Sequence, residues 1–290
     1  MWRFVPFSSA LARLSLPAQG RLMLVFAAML TSTGGMFVRH INHQGVPAPT
    51  IACVRSLIAG LSLSWALPRM KWSPPGKWLA AGSLFTGMVS CFVLATSLTS
   101  AAHATFLQFA YPLLVAIGAH IWLGEKLNRK SVYAILLGLV GVSIILFAAF
   151  GEISTPGLLL GLAAAVVTSG YVLVQRTLHA GSPIALCCTY NLMAAVLLAP
   201  FGMPQIETLM SWNAFLPLLA CGVFQLGYSN AIIILALRKL PAADAAIVML
   251  LEPILNPLWV LVFLGEPIAT SVFIGGGFIL AAVALRIRRN

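Results

Sequence analysis

Two ionisable side chains stand inside apolar stretches of this sequence: Arg55 in ACVRSLIAG and Glu252 in VMLLEPILNP. A charge set among Leu, Ile and Val is costly to keep, and where one persists it usually faces a polar interior or a transport path. A guanidinium in such a place can fork onto the carboxylate or phosphate of a solute. A carboxyl there can load and release a proton, or pair with an amine. Each has a structural reading beside the functional one. Glu252 can cap backbone carbonyls freed by Pro253 and Pro257, and Arg55 can reach along its stem toward the water boundary.

Amide, phenol and hydroxyl groups recur at helical spacing in other stretches. They are Ser83, Thr86, Ser90 and Ser97; Gln108 and Tyr111; Thr168, Tyr171 and Gln175; Gln225 and Tyr228; and Asp244, Glu252 and Asn256. Polar faces avoid lipid, so these must turn inward. Ser and Thr more often bridge helices, whereas Gln, Asn and Tyr more often line cavities. The candidate solute-binding set is therefore Arg55, Gln108, Tyr111, Tyr171, Gln175, Tyr228 and Asn256. Glu252 is the candidate for proton coupling, with Asn256 one turn away to hold its carboxyl.

No catalytic residue is assigned. The five His lack ligand spacing and the five Cys, all in apolar segments, include no CxxC pair. Metal and cofactor sites are therefore not expected. GxSxG, HExxH and P-loop patterns are missing, which argues against a membrane hydrolase and an ATP-driven pump.

The elements that position these groups follow from composition. The chain has 290 residues, 60% hydrophobic and 8% charged, where soluble domains carry roughly a quarter charged residues. It reads as an all-α integral membrane protein. Its net charge of +11 would suggest nucleic acid in a soluble protein, but here the cations sit in short links between apolar segments, so nucleic acid is excluded as a partner. Residues 1–20 hold Arg3 and Arg13 but no apolar run long enough for a signal peptide; they read as a basic interfacial tail.

A spanning helix needs about 20 apolar residues. That length predicts ten: 21–41, 50–67, 77–98, 103–123, 130–149, 156–177, 183–200, 213–236, 243–264 and 269–286. With the N-terminus in the cytoplasm, all of the 17 Lys and Arg except Arg39 and Arg55 fall on the inner side, as the positive-inside rule requires. Both termini are then cytoplasmic, in a multi-pass protein of the cell (inner) membrane.

One stretch occurs twice. Residues 107–149 and 248–289 align at an offset of 141, carrying Pro112 onto Pro253 and Gly124-Glu125 onto Gly265-Glu266. Five helices per half is odd, so the second half must insert inverted, and the charges agree. Link 124–130 holds Lys126, Arg129 and Lys130 while 265–271 has no basic residue; link 97–103 has none while its counterpart holds Arg238 and Lys239. Inverted repeats are a common plan of secondary transporters, with the site at the repeat interface near mid-membrane. The units are 21–149 and 156–286. Gly138, Gly141, Gly275, Gly276 and Gly277 suit close helix packing, and Glu125 and Glu266 suit the ends of apolar spans.

The sequence resembles the EamA type of the drug/metabolite transporter superfamily over about 22–149 and 156–286. The most specific parts are LTSAAHATFLQFAYPLLVAIGAHIWLGEKLNRKSVYAILLGLVGVSII, GLLLGLAAAVVTSGYVLVQRTL and LRKLPAADAAIVMLLEPILNPLWVLVFLGEP. The resemblance implies ten helices in two inverted five-helix halves around a central cavity, and facilitated or ion-coupled movement of amino acids, metabolites and other small solutes. Residues and resemblance together favour a secondary transporter, not an enzyme, that exports a small polar metabolite such as an amino acid or a relative of one. Its partners are that solute, the lipid bilayer and, if Glu252 titrates, protons; monomer and weak homo-oligomer are both compatible. The rival readings are an importer of a larger solute such as a vitamin or nucleoside-like compound, an integral-membrane enzyme, and a lipid scramblase.

Overall fold

The computed structural model describes residues 15–70, 75–99, 101–126, 129–148, 154–178, 181–209, 211–265 and 270–287. Arg3, Arg13, Lys71, His179, Glu266, Arg288 and Arg289 lie outside them. No strand occurs among the described residues. In an apolar medium a helix satisfies its own backbone, whereas an open sheet does not.

The helices, in chain order, are α1 (Leu16–Thr31), α2 (Gly34–His43), α3 (Ala48–Ser62), α4 (Pro75–Leu98), α5 (Ala101–Gln108), α6 (Tyr111–Leu123), α7 (Arg129–Ala148) and α8 (Thr155–Thr177). There follow α9 (Pro183–Gly202), α10 (Trp212–Ala220), a π-helical stretch Cys221–Tyr228, α11 (Ser229–Leu237), α12 (Ala242–Met249), α13 (Glu252–Leu264) and α14 (Thr270–Ile287). Among the described residues, seven helical stretches are long and apolar enough to cross a membrane: Leu16–His43, Gly76–Leu98, His103–Leu123, Thr155–Thr177, Pro183–Leu209, Trp212–Leu237 and Ala242–Phe263. Ala48–Ser62 and Thr270–Leu285 are apolar but shorter. The segment expected over 50–67 is thus a short α-helix followed by a 3-10 turn, Ser64–Arg69, which contains Pro68. Large apolar side chains stand on the outer surface, Trp122 and Trp212 among them at 74% and 78% exposed. In water such a surface would aggregate; against lipid it costs nothing.

Three of the apolar stretches are interrupted, each for a local reason. Between α1 and α2, the hydroxyls of Ser32 and Thr33 donate to the carbonyls of Met29 and Leu30, at 2.9 and 2.7 Å, competing with the helix for its acceptors. Between α5 and α6, and again between α12 and α13, a proline in the next helix's first turn removes an N–H donor. These two interruptions recur at the repeat offset: Ala101–Gln108 and Ala242–Met249, then Tyr111–Leu123 and Glu252–Leu264, are bounded 141 residues apart. Both second halves stop at a glycine in the left-handed conformation, Gly124 at φ 64° and Gly265 at φ 69°, which a side chain would disfavour.

The most extensive packing pairs α7 with α14, α4 with α8 and α3 with α9. At the first of these, any Cβ on Gly141 would collide with the backbone carbonyl of Gly275; one on Gly138 would lie 3.7 Å from Ala282 Cβ of α14 and 2.6 Å from the Leu250 side chain, at the α12–α13 break. These contacts match the close approach expected of Gly138, Gly141 and Gly275. Gly277 differs: nothing lies within 4 Å of its Cβ position, so it is not a packing glycine, and Gly276 meets only Ile254, at 3.8 Å.

Candidate functional site

Where α7 and α14 pack, they leave the middle of the molecule to the other helices. Between those helices lies a cavity of about 820 Å³ of atom-free space, its open part included. Its wall takes Leu24 and Thr31 from α1, Arg55 from α3, Met88, Val89 and Phe92 from α4, and Gln108, Phe109 and Tyr111 from the α5–α6 break. Thr168, Tyr171 and Val172 come from α8, Gln225 and Leu226 from the π-helical stretch, Asn230, Ile233 and Leu237 from α11, and Ala245, Ala246, Met249 and Glu252 from the α12–α13 break. Arg55 and Glu252 are the charged members of this lining.

Arg55 turns inward rather than snorkelling. It is 2% exposed. Its Nη2 donates to the Val89 carbonyl at 3.4 Å, and its guanidinium carbon lies 6.0 Å from the centre of the Phe92 ring. Nε and Nη1 have no hydrogen-bond partner among the described residues. The α3 backbone reaches this depth because Gly222, in the π-helical stretch, has no side chain to hold it off: a Cβ there would lie 2.8 Å from the Arg55 carbonyl oxygen.

Glu252 is the first residue of α13, at the break rather than within a continuous helix. The Thr31 hydroxyl donates to its Oε2 at 2.8 Å, so the α1 terminus positions it. Asn256 does not hold that carboxyl: it donates to Thr105 Oγ1 at 2.7 Å, tying α13 to α5. Gln108 donates to Thr168 Oγ1 at 2.9 Å, tying the α5 end to α8. Tyr111 packs 5.4 Å from Phe109, and Tyr171 5.5 Å from Phe85, centre to centre.

Of the eight residues singled out from sequence, Arg55, Gln108, Tyr111, Tyr171 and Glu252 come together in the cavity wall. Gln175, Tyr228 and Asn256 stand outside the lining. Gln175 is buried one turn past Tyr171, and its amide has no partner among the described residues. Tyr228 is 37% exposed on the outer surface. The wall also takes Thr31, which sequence reasoning did not single out, and Gln225 and Thr168, which it placed in polar stripes but not in the site. The hydroxyl stripe of α4 has another use: Thr86, Ser90 and Ser97 each donate to the carbonyl four residues earlier, so the helix satisfies them itself. No group of three or more His, Cys, Asp or Glu suited to a metal ion occurs among the described residues.

The EamA-like transporter family matches residues 18–147 and 155–288. The chain belongs to that family. It is a multi-pass membrane transporter and not an enzyme. Similar proteins carry the same class of name. An uncharacterised transporter, YvbV, of Bacillus subtilis is 28% identical over 255 residues, 82% of each chain. An uncharacterised transporter of Archaeoglobus fulgidus is 26% identical over 93% of this chain and 96% of its own. The threonine/homoserine exporter RhtA of Escherichia coli K12 is 24% identical over 90% of this transporter and 89% of its own length. A solved crystal structure shares the fold, with a TM-score of 0.79 at 20% identity, covering 93% of this chain and 96% of that one.

Proposed function

We propose that this EamA-like protein is a secondary transporter that exports an amino acid or a closely related zwitterion by alternating access, with Glu252 available to couple protons. The observation that carries the reading is the charge content of the cavity: one cation, Arg55, and one acid, Glu252, in a wall otherwise of amides, hydroxyls, aromatic rings and aliphatic side chains. A solute with one carboxylate and one ammonium complements that wall at no net charge, and the aromatic surface accepts its side chain. The similarity to a threonine/homoserine exporter supports the same class. The test is purified protein in proteoliposomes, offered individual L-amino acids, threonine and homoserine first, with and without a proton gradient. Saturable movement of one of them is the expected result. Movement of a vitamin or nucleoside-like solute, with no response to any amino acid, would refute it.

Alternating access is proposed to act between two inverted five-helix halves, 21–149 and 156–286. The helix bounds repeated 141 residues apart and the swap of basic residues between equivalent links support that division. The Lys and Arg distribution supports cytoplasmic termini in the cell (inner) membrane of the source. Reporter fusions after Asn290 and within 265–271 are expected to report the cytoplasm and the opposite side, respectively. A cytoplasmic signal from 265–271 would remove the inverted arrangement.

A further inference from the structure

Glu125 and Arg176 are not in the lining of the cavity described above and belong to no site proposed above, yet they meet at one end of that cavity. Glu125 follows Gly124, the left-handed cap of α6. Its Oε1 accepts from Arg176 Nε at 3.1 Å, and its Oε2 accepts from the backbone N–H of Ala242 at 3.0 Å. Arg176 Nη1 donates to the carbonyl of Leu237 at 3.1 Å. Ala242 opens α12 and Leu237 closes α11, so that N–H and that carbonyl are groups a helix leaves without an internal partner. One ion pair therefore caps both sides of the α11–α12 link, with the acid at a helix N-terminus and the cation at a C-terminus, the favourable sense for both dipoles.

Its place relative to the cavity matters more than its stability. Leu237 lines the cavity, and one turn from Arg176 and Ala242 lie Val172, Ala245 and Ala246, which also line it. The pair thus lies across that end of the cavity, with the Arg176 side chain 25% and the Glu125 side chain 17% exposed. It also joins the two repeat units, since Glu125 belongs to the first and Arg176, Leu237 and Ala242 to the second. Rocking of one unit against the other that opens the cavity at this end must pull Glu125 away from two groups at once, the Arg176 guanidinium and the Ala242 N–H. Close by, Lys239 Nζ donates to Gln19 Oε1 at 2.8 Å, a tie to the start of α1 just ahead of the first unit, and one with a neutral acceptor. On the other side of Glu252, two neutral hydrogen bonds between described residues join the units: Asn256 to Thr105, and Trp259 Nε1 to Ser32 Oγ at 2.8 Å.

We infer that Glu125 and Arg176 form a latch that closes the Lys- and Arg-rich end of the cavity and must break for solute to pass there. This rests on the two-unit reading of transport, but its test needs no solute. A cysteine introduced as Ala246→Cys in the full-length protein reports on the cavity. It is labelled with a membrane-impermeant maleimide from each side in turn, in right-side-out and inverted vesicles, and the signal of the protein without Ala246→Cys is subtracted. Glu125→Gln and Arg176→Gln are each expected to raise labelling from the latch side about tenfold, the population shift that follows loss of one charge-assisted pair. The double variant should label no faster than either single one, because the residues act as a unit. Labelling from the opposite side should fall, since the two open states compete for one population. If the Gln variants fold poorly, Glu125→Asp, which keeps the charge on a shorter stem, should label at an intermediate rate. Unchanged labelling in well-folded variants would overturn the latch, and so would an equal rise from both sides, which marks general loosening by a helix cap. Either result would leave the solute screen untouched.

Discussion

Arg55→Ala is expected to weaken binding of a carboxylate-bearing solute by roughly 30- to 300-fold, the loss of a charged hydrogen-bonding partner from a water-poor site. The protein itself should insert and fold. The guanidinium is almost wholly buried, with one long bond to the Val89 carbonyl and two nitrogens without partners. An unpaired buried cation is a cost to the empty protein. Removing it takes away packing against Phe92 but also that cost, so thermal stability in detergent should stay the same or rise. A residue kept for architecture behaves in the opposite way, losing stability and activity together. Arg55→Lys keeps the charge but not the planar fork, and is expected to recover only part of the affinity. Equilibrium binding beside a thermal melt separates the two cases. Unchanged transport by a well-expressed Arg55→Ala protein would take this residue out of the site.

The sequence reading succeeded where a signal is local and failed where it depends on what arrives from elsewhere. The Gly-Glu pairs marked the stops of α6 and α13, because a left-handed turn is a property of the residue itself. The breaks before α6 and α13 fall inside stretches expected as continuous, 103–123 and 243–264, because a proline in an apolar run marks a break only where the neighbouring helices accommodate one. Arg55 and Glu252 stood out because no lipid-facing role suits them. Tyr228 was read by three-residue spacing from Gln225, as in an α-helix, but Cys221–Tyr228 is π-helical, with more residues per turn. There Gln225 reaches the cavity and Tyr228 the exterior. Asn256 sits one turn from Glu252, and that proximity suggested a hydrogen bond; the nearer hydroxyl comes from Thr31, 221 residues away in sequence. The latch was hidden for the same reason. Glu125 alone resembles an ordinary span terminator, and only the fold shows that the N-terminus of α12 and the end of α8 converge on it.

The second large effect concerns Glu252→Gln. The carboxyl stands at the first turn of α13, facing the cavity, and its one hydrogen-bond partner among the described residues is the Thr31 hydroxyl. A hydroxyl can rotate to donate to a carboxylate or to accept from a carboxylic acid, so the same pair serves both protonation states without moving the helix. The repeat partner of Glu252 is Tyr111, also in the cavity wall, which leaves one titratable acid in the lining and suits one proton per solute. For an exporter exchanging solute for a proton, vesicles with an acidic interior should fill with solute. A gradient of one pH unit then supports up to about tenfold accumulation for a single coupled proton, since one unit is worth about 1.4 kcal/mol. Glutamine keeps the shape and can still accept from Thr31, but it cannot titrate. In Glu252→Gln, accumulation is therefore expected to fall to a ratio of about one, while exchange of labelled for unlabelled solute across the membrane continues. Losing both, with a fall in measured affinity, would mean that the neutral amide cannot replace the carboxylate's complement to the solute's ammonium group, so that binding as well as coupling depends on the charge. Gradient-driven accumulation that persists in Glu252→Gln with the pH dependence of the natural protein would leave this carboxyl a purely structural part, joining the α12–α13 break to the end of α1.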